Sequence, residues 1–276
     1  MSWFMDTALS RRLERAEGAA GASFVEVRQR IDAEVGAVWR EFDGTYAMFD
    51  GVESPMTQTF GLGMFAPVSA DSLSAIERFF LERGADTIHE VSPLAGIETI
   101  ALLADRGYRP VELSTVLVQP LDRELDSAAG AGLLARECDP TDMDGWIETS
   151  VAGWSDTPEA ARVIRSIARA ASMNRMVVNF MVERDGVAIA TGSLVIHERV
   201  ALLAGASTIP AGRGLGAQGL LLAARLAAAR RRGCDIAMMV ASPGSTSQRN
   251  AERSGFRVAY TRTKWRLARA PQRGLP

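Results

Sequence analysis

Apolar residues along the chain follow two alternating spacings. Stretches with an apolar residue at every third or fourth position, which predict amphipathic helices, alternate with short β-branched apolar runs, which predict strands. In the C-terminal half this pattern predicts a strand over Leu133–Glu137, helices over 142–154 and 158–171, and then three strands separated by turns at 184–186 and 197–199. We therefore predict an α/β fold class of the α+β type, with mixed, mostly antiparallel sheets flanked by helices.

Two distant stretches of the chain share one order of signals: a helix end, an apolar strand, a loop, a second helix and a final strand. An Arg-Gly pair ends the first helix in both stretches, and the two glycines, Gly84 and Gly233, lie 149 residues apart. A glycine also ends the second helix in both stretches, and Gly107 and Gly255 lie 148 residues apart. An ordered series of matches at a nearly constant separation indicates a duplicated architecture.

The repeated order divides the chain into two predicted domains. A length of 276 residues is enough for about two domains of average size. We predict one domain over 1–127 and a second over 133–270, joined by a linker of small residues at 128–132.

Composition and charge narrow the classes of function. Hydrophobic residues make up 47% of the chain, charged residues 23%, and the net charge is −2, which fits an ordinary core and no nucleic-acid partner. Arginines 230–232 close a helix, where cations suit the dipole. Cys138 and Cys234 lack metal-ligand spacing, so we expect no metal site and a reducing, cytoplasmic location. Without an apolar run of about 18 residues, no membrane partner is expected.

A glycine-rich segment at a predicted strand-to-helix transition is the candidate ligand-binding site. Its glycines are Gly212, Gly214, Gly216 and Gly219. Between Arg199 and Cys234 the sequence contains no aspartate or glutamate, although the start of a helix usually recruits one. A helix start with bare amides, glycines and Arg213 suits a pyrophosphate.

The corresponding helix of the N-terminal half begins differently. Ser69 can cap it, and Asp71 already supplies a negative charge in its first turn. We therefore predict that the N-terminal half binds no cofactor.

Three other interpretations of the glycines are considered, and only the last of them remains open. Gly214, Gly216 and Gly219 also match a dinucleotide-binding fingerprint, but Asp235 begins the next strand instead of ending it, and hairpins precede the loop. A Walker pattern fails because no Gly-Lys-Ser/Thr follows. The glycines could also be purely structural, in a module that binds a partner without catalysis.

The C-terminal half resembles the GNAT superfamily of N-acetyltransferases. That family carries a Gln/Arg-x-x-Gly-x-Gly/Ala loop after its fourth strand, and RGLGAQ at 213–218 matches it with Gln218 as the last residue. An alternative register runs over 211–216; the first keeps the arginine and places residues 208–210 at the usual spacing. The later segment SQRNAERSGFRVAY is similar to the family's Asn-bearing helix that ends in Gly-Phe. An inert first copy followed by an active second copy resembles tandem GNAT proteins such as mycothiol synthase, in architecture only.

The resemblance implies that acetyl-CoA or another acyl-CoA lies between splayed parallel strands, with its pantetheine along the strand VALLAGAST. A strand amide within 204–206 would stabilise the thioester carbonyl as negative charge develops on it. The residues implied to bind the cofactor are Ala206, Thr208, Arg213, Gly214, Gly216, Ala217, Gln218 and Asn250.

The implied reaction is direct attack of a primary amine on the thioester in a ternary complex, without a covalent enzyme intermediate. The acceptor is an unidentified small molecule or peptide, and pairing of two copies through sheet edges is left open. Many family members carry a tyrosine as general acid four residues before Gly-Phe, where this chain has Ala251. Ser247 and Tyr260 are substitute candidates, although a first-turn serine is more often a cap and a strand tyrosine more often part of the core.

No general base stands out. Glu183, His197 and Glu198 fall at predicted hairpin ends, where exposed polar side chains are ordinary. The pair His89-Glu90 is interpreted as a satisfied pair at a domain interface. Trp154 either lines the acceptor cleft or, more commonly for this residue type, packs in the core.

Overall fold

The computed structural model describes residues 4–122 and 132–268. In chain order these residues form α1 (Thr7–Ile31), β1 (Val38–Phe42), β2 (Thr45–Phe49), β3 (Gln58–Phe60), α2 (Ala70–Leu81), β4 (Thr87–Val91), α3 (Ile97–Asp105), β5 (Arg109–Pro120), β6 (Leu133–Glu137), α4 (Met143–Trp154), α5 (Pro158–Ser172), β7 (Val177–Arg184), β8 (Val187–His197), β9 (Val200–Thr208), α6 (Ala217–Arg231), β10 (Ile236–Ala241), α7 (Thr246–Arg253) and β11 (Arg257–Leu267). Within these two ranges, no helix combines the length and the apolar character that crossing a membrane requires.

The described residues divide into two compact units. The first contains the chain up to Val116, residues 241–245 and the chain from Val258 onward. The second contains Leu117–Val240, within its described part, and Thr246–Arg257.

The first unit is built on a mixed sheet with the strand order β1-β2-β3-β4-β11-β5. The pairs β1/β2, β2/β3 and β4/β11 are antiparallel, whereas β3/β4 is parallel. Helix α2 packs on this sheet through Leu73, Ile76, Phe79 and Phe80, which are all buried and recur at helical spacing. These side chains belong to one buried apolar cluster, together with residues of the sheet such as Ala47, Phe49 and Val91.

The second unit is built on a sheet with the strand order β10-β9-β8-β7-β6, and the last four residues of β5 also belong to this unit. Strands β6 to β9 are antiparallel neighbours, whereas β9 and β10 run parallel. Helices α4 and α6 both pack on β8 and β9. Beneath α4 the indole of Trp146 is buried and donates a hydrogen bond from Nε1 to the Phe180 carbonyl at 3.0 Å.

The elements predicted for the second half are confirmed. Strand β6, helices α4 and α5 and the three strands that follow occupy the predicted positions, to within a residue at the helix ends. Two-residue turns join β7 to β8 and β8 to β9, and Asp185, Gly186, Glu198 and Arg199 all have positive φ, as the favoured hairpin turns require. The predicted fold class, with mixed, mostly antiparallel sheets and flanking helices, is also confirmed.

The four helix ends predicted at glycines are confirmed, and they share one backbone conformation and hydrogen-bond pattern. Each glycine has a φ between +68° and +93°, and the next residue donates its amide to the carbonyl five positions earlier. These bonds run from Ala85 to Phe80, Tyr108 to Leu103, Cys234 to Ala229 and Phe256 to Ala251, at 3.0–3.1 Å. The two stretches therefore match in backbone hydrogen bonding as well as in sequence order.

At two places, unit membership departs from chain order. Strand β11 belongs to the first unit from Val258 onward, and its antiparallel pairing with β4 runs from Thr263 to Leu267. The end of β5 belongs to the second unit, where the Leu121 amide donates to the Asp235 carbonyl at 2.9 Å. The predicted domain limits, 1–127 and 133–270, remain a prediction, and residues 128–131 of the predicted linker lie outside the described residues.

Candidate functional site

Two parallel strands of the second unit separate along their length. Strand β9 pairs with β10 only where Val200, Ala201 and Leu202 face Ile236, Ala237 and Met238. Beyond these positions β9 continues to Thr208 and β10 to Ala241, but no further residue of β9 pairs with β10. Backbone groups at this open end are therefore available to an extended ligand.

A β-bulge interrupts β9 within the separated region. Thr191 pairs with Ser207 and Ser193 pairs with Ala204, so a single residue of β8 faces Gly205 and Ala206. Gly205 adopts a φ of +60°, which a residue with a side chain rarely takes. A bulge interrupts the ladder, so Gly205 and Ala206, between the paired residues Ala204 and Ser207, present backbone that is not engaged in regular pairing.

The segment between β9 and α6 turns on two glycines with positive φ. Gly214 has a φ of +78°, and Gly216, the residue that precedes α6, has a φ of +85°. No side chain caps this helix. Its first internal backbone bond is donated by Leu220 to the Gly216 carbonyl, at 3.2 Å.

The amides before that bond form a donor cluster, in which Gly214, Leu215, Gly216 and Gly219 are exposed residues, Gln218 is half-buried and Ala217 is buried. Within the described residues no acceptor takes a hydrogen bond from the backbone N–H groups of 214–219. A side chain built on Gly214, Gly216 or Gly219 would meet no atom within 4 Å. The positive end of the α6 dipole therefore faces open space, which is the arrangement that binds anions.

On the other side of β9, Gly153 allows α4 to pack close to the strand end. A Cβ atom on Gly153, near the end of α4, would lie only 2.5 Å from Oγ of Ser207. The missing side chain therefore lets α4 approach the end of β9 at van der Waals distance. This close approach shapes one side of a cavity.

A cavity of about 920 Å³ lies between the open strand ends, the loop, α4 and α7. The structure brings every predicted cofactor residue to its lining: Ala206, Thr208, Arg213, Gly214, Gly216, Ala217, Gln218 and Asn250. Two of them also bond to each other, since Nε2 of Gln218 donates to Oγ1 of Thr208 at 2.6 Å. That bond ties the first turn of α6 to the end of β9.

No protein-family model matches the sequence, and no curated protein is similar to it in sequence. Solved structures are similar in fold. A GCN5-related N-acetyltransferase from Kribbella flavida aligns with a TM-score of 0.65 and 15% identity over 91% of this chain and 97% of its own. A tandem GNAT protein from the clavulanic acid biosynthesis pathway aligns with a TM-score of 0.62 and 14% identity over 83% of this chain and 79% of its own. The chain has the GNAT fold.

A third structure agrees with this assignment. A GCN5-related N-acetyltransferase from Sphaerobacter thermophilus aligns with a TM-score of 0.58 and 17% identity over 80% of this chain and 70% of its own. The predicted similarity to tandem GNAT proteins is confirmed at the level of the fold.

The cavity of this GNAT fold is basic. Arg213, Arg225 and Arg253 line it, whereas no aspartate or glutamate is among its lining residues. Arg213 and Arg253 make no ion pair and no side-chain hydrogen bond within the described part of the chain. The cavity is therefore suited to an anionic ligand.

Sequence reasoning missed Arg225, which is only 4% exposed. Its guanidinium contacts the carbonyls of Leu221, Ser193 and Ala204 at 3.3–3.4 Å, and burial lowers the pKa of this arginine to about 10. One sequence signal could have found it. Residue 225 falls on the helix face that carries the buried Leu221 and Ala229, at four-residue spacing, where an apolar side chain is expected.

The two catalytic candidates occupy different units. Ser247 lines the cavity at an exposed position in the first turn of α7. Tyr260 belongs to the first unit, is 6% exposed and donates its hydroxyl to Glu14 at 2.7 Å. Burial raises the pKa of Tyr260 well above its ordinary value, and this hydroxyl is engaged in the first unit's core. Ala251, where many GNAT enzymes carry the tyrosine, lines the cavity without a hydroxyl.

Trp154 lines the cavity and is 54% exposed, so it is not a core residue. The predicted hairpin-end residues do not line it: Glu183 pairs with Arg136, Glu198 is exposed in its turn, and His197 is half-buried. Among these candidates, only Trp154 borders the site.

His89 and Glu90 are both buried, and both belong to the first unit; their interpretation as a satisfied pair at a domain interface stays a prediction. His89 is held by Thr59 and Tyr108. Glu90 accepts from Ser114 at 2.9 Å.

Proposed function

We propose that this protein is an acyl-CoA-dependent N-acyltransferase, which transfers an acetyl or other acyl group to a primary amine. The observation that carries the proposal is the donor cluster at 214–219, which borders a basic cavity beside separated parallel strands. The GNAT fold supports it, because that fold is shared with proteins described as N-acetyltransferases. The active domain extends over 133–270 and follows a degenerate domain over 1–127.

The residues present fit acyl-CoA. Amides of 214–219 and Arg213 would receive the pyrophosphate, because they combine hydrogen-bond donors, helix dipole and positive charge. Thr208 and Ala206 lie along the strand end that would border the pantetheine, and Asn250 would contact the cofactor from α7. The thioester supplies the activated carbonyl carbon, and the residues of this chain bind and orient it.

In the proposed reaction, the acceptor's neutral amine forms a C–N bond with the carbonyl carbon, and the C–S bond breaks with release of the thiolate. A backbone amide at the bulge, residues 204–206, would stabilise the negative charge that develops on the carbonyl oxygen. The amine nitrogen loses one proton to water, and the thiolate takes up one proton from water, either directly or relayed through the Ser247 hydroxyl, which regains the proton that it gives up. No nucleophilic side chain is required. Tyr260 does not act as the general acid in this proposal, because its hydroxyl donates its hydrogen bond to Glu14.

A second candidate function rests on the same cavity. Ala251 occupies the position of the usual acid, so the protein could bind acyl-CoA without turnover, as a sensor or an interaction module. The open cavity beside Trp154 and Gly153 favours the enzyme, because it leaves room for an acceptor next to the cofactor.

The test has two stages. Thermal stabilisation of the full chain by acetyl-CoA is measured first, and release of free thiol is then followed with a panel of small amines and peptides. Stabilisation with thiol release supports the transferase. Stabilisation without release on any amine supports the binding module, and no stabilisation at millimolar acetyl-CoA rejects both.

A further inference from the structure

Arg225 is a buried cation that the surrounding protein does not neutralise. The other buried arginines in the described part of the chain are Arg28 and Arg262. Arg28 bonds Asp50 at 2.8 Å and Arg262 bonds Glu14 at 2.9 Å. Arg225 has no carboxylate partner, and its three carbonyl contacts, at 3.3–3.4 Å, exceed the ordinary hydrogen-bond distance.

A buried and unpaired charge is costly, so its presence calls for a partner. The cavity is where that partner would come from, since Arg225 is among its lining residues and no acidic side chain is. The contacts of Arg225 use only Nε and Nη1 of its guanidinium. The other terminal nitrogen, Nη2, carries two N–H groups, and no acceptor among the described residues bonds to them. The guanidinium therefore retains donors for a ligand.

The guanidinium lies beside the bulge and away from the anion-binding loop. Nη1 contacts the carbonyls of Ser193 and Ala204, and a Cβ atom on Gly192 would be 3.0 Å from it. Ala204 precedes Thr208 by four residues, which corresponds to about 13 Å of extended strand. A pyrophosphate held by the loop would not neutralise a charge at that distance.

We propose that Arg225 binds a carboxylate of the substrate at the inner end of the cavity, beside the bulge. This inference rests on the proposed function. The carboxylate could belong to the acyl group, as in the acyl-CoA of a dicarboxylic acid, or to an amine acceptor such as an amino acid. In either case the planar fork of the guanidinium matches the two carboxylate oxygens.

The donor arm of the test compares succinyl-CoA with butyryl-CoA, which have four-carbon acyl chains and differ in the terminal carboxylate. The acceptor arm compares amino acids with their carboxamides on protein saturated with CoA. Affinity is measured by calorimetry on the full chain and on Arg225→Gln. A charge-assisted hydrogen bond predicts a preference of about ten- to hundredfold for the carboxylate ligand in one arm, and its loss in the variant.

The arm that shows the preference identifies the source of the carboxylate. Equal affinities in both arms of the unaltered protein would overturn the inference even if Arg225→Gln fails to fold. A variant that keeps the preference would overturn it too, as would one that lowers turnover of charged and neutral substrates equally. Binding of CoA without a carboxylate preference leaves the proposed function intact, whereas no binding of CoA, acetyl-CoA or either longer donor rejects both.

Discussion

The buried ionisable side chains of this protein differ in whether a partner of opposite charge lies next to them. In the first unit, Oε1 of Glu14 accepts hydrogen bonds from Tyr260 and Arg262, so this buried carboxylate has a buried cation as its partner. Removing one member of such a group leaves an unpaired buried charge, which costs about 3–5 kcal/mol. Arg225 has no such compensation, and we interpret this contrast as the difference between a structural group and a ligand-binding one.

His89 is a second compensated group. Tyr108 donates its hydroxyl to Glu77, so it accepts from Nε2 of His89, and Nδ1 accepts from the hydroxyl of Thr59 at 2.7 Å. Both ring nitrogens are thus satisfied in the neutral form. Burial lowers the pKa of His89 to about 3.

This lowered pKa predicts a stability loss in mild acid. The folded protein keeps His89 neutral, while the unfolded chain takes up a proton below pH 6.5, so stability is complete above pH 6.5 and falls toward pH 3. Between pH 7 and 5 the loss is about 2 kcal/mol. Chemical denaturation at both pH values should show this loss reduced by that amount in His89→Gln.

The control is the unaltered protein, denatured at the same two pH values. An unchanged loss in His89→Gln would show that other groups cause the acid sensitivity.

The open glycine loop before α6 could be predicted from the sequence because its signal is local. The absence of acidic residues between Arg199 and Cys234 indicated an uncapped helix start, and the structure has one. Arg225 was missed because its importance depends on which side chains surround it in space. Sequence reasoning also placed Tyr260 among the catalytic candidates, since strand periodicity cannot show that its hydroxyl bonds Glu14.

At the scale of elements, the first turn of α6 is less stable than that of a capped helix without glycine. Its start lacks a capping side chain, and Gly219 occupies a helical position where an added Cβ atom would meet no other atom within 4 Å. Helix α2 provides the contrast, because Ser69 and Ser72 cap it reciprocally at 3.0 Å. The predicted cap at Ser69 is therefore confirmed.

Gly219→Glu should separate stability from binding. Glutamate has a higher helix propensity than glycine and a favourable charge at the start of α6, so the unliganded protein should gain about 1 kcal/mol. Its carboxylate would occupy and neutralise the donor cluster, so stabilisation by acetyl-CoA should disappear. Thermal unfolding with and without acetyl-CoA measures both effects.

Gly219→Gln is the matched control, with the same size and no charge. It should bind acetyl-CoA at least tenfold more tightly than Gly219→Glu, because only the glutamate repels the cofactor's phosphates. Equal affinity in the two variants would contradict an electrostatic role for the loop amides.

At the scale of the whole molecule, local patterns predicted the elements but not every sheet neighbour. The alternation and turn signals placed β7, β8 and β9 correctly, because hairpin partners are adjacent in sequence. Strand β11 pairs with β4, whose residues lie about 175 positions earlier, as the pairing of Leu267 with Thr87 and of Thr263 with Val91 shows. Such non-local pairing leaves no periodic trace in the sequence.

The difference between two corresponding helix starts, one in each unit, predicts one cofactor per chain. Of the two corresponding helices, α6 presents an uncapped start in a basic cavity, whereas α2 is capped and carries Asp71 in its first turn. Calorimetric titration with acetyl-CoA should therefore give one equivalent bound, and none with Gly219→Glu. Ser69→Ala, which weakens the cap of α2, should still bind one equivalent, because the amides of α2 remain beside Asp71. A stoichiometry of two would mean that the first domain also holds acyl-CoA, and its capped helix start would then have to open in the complex.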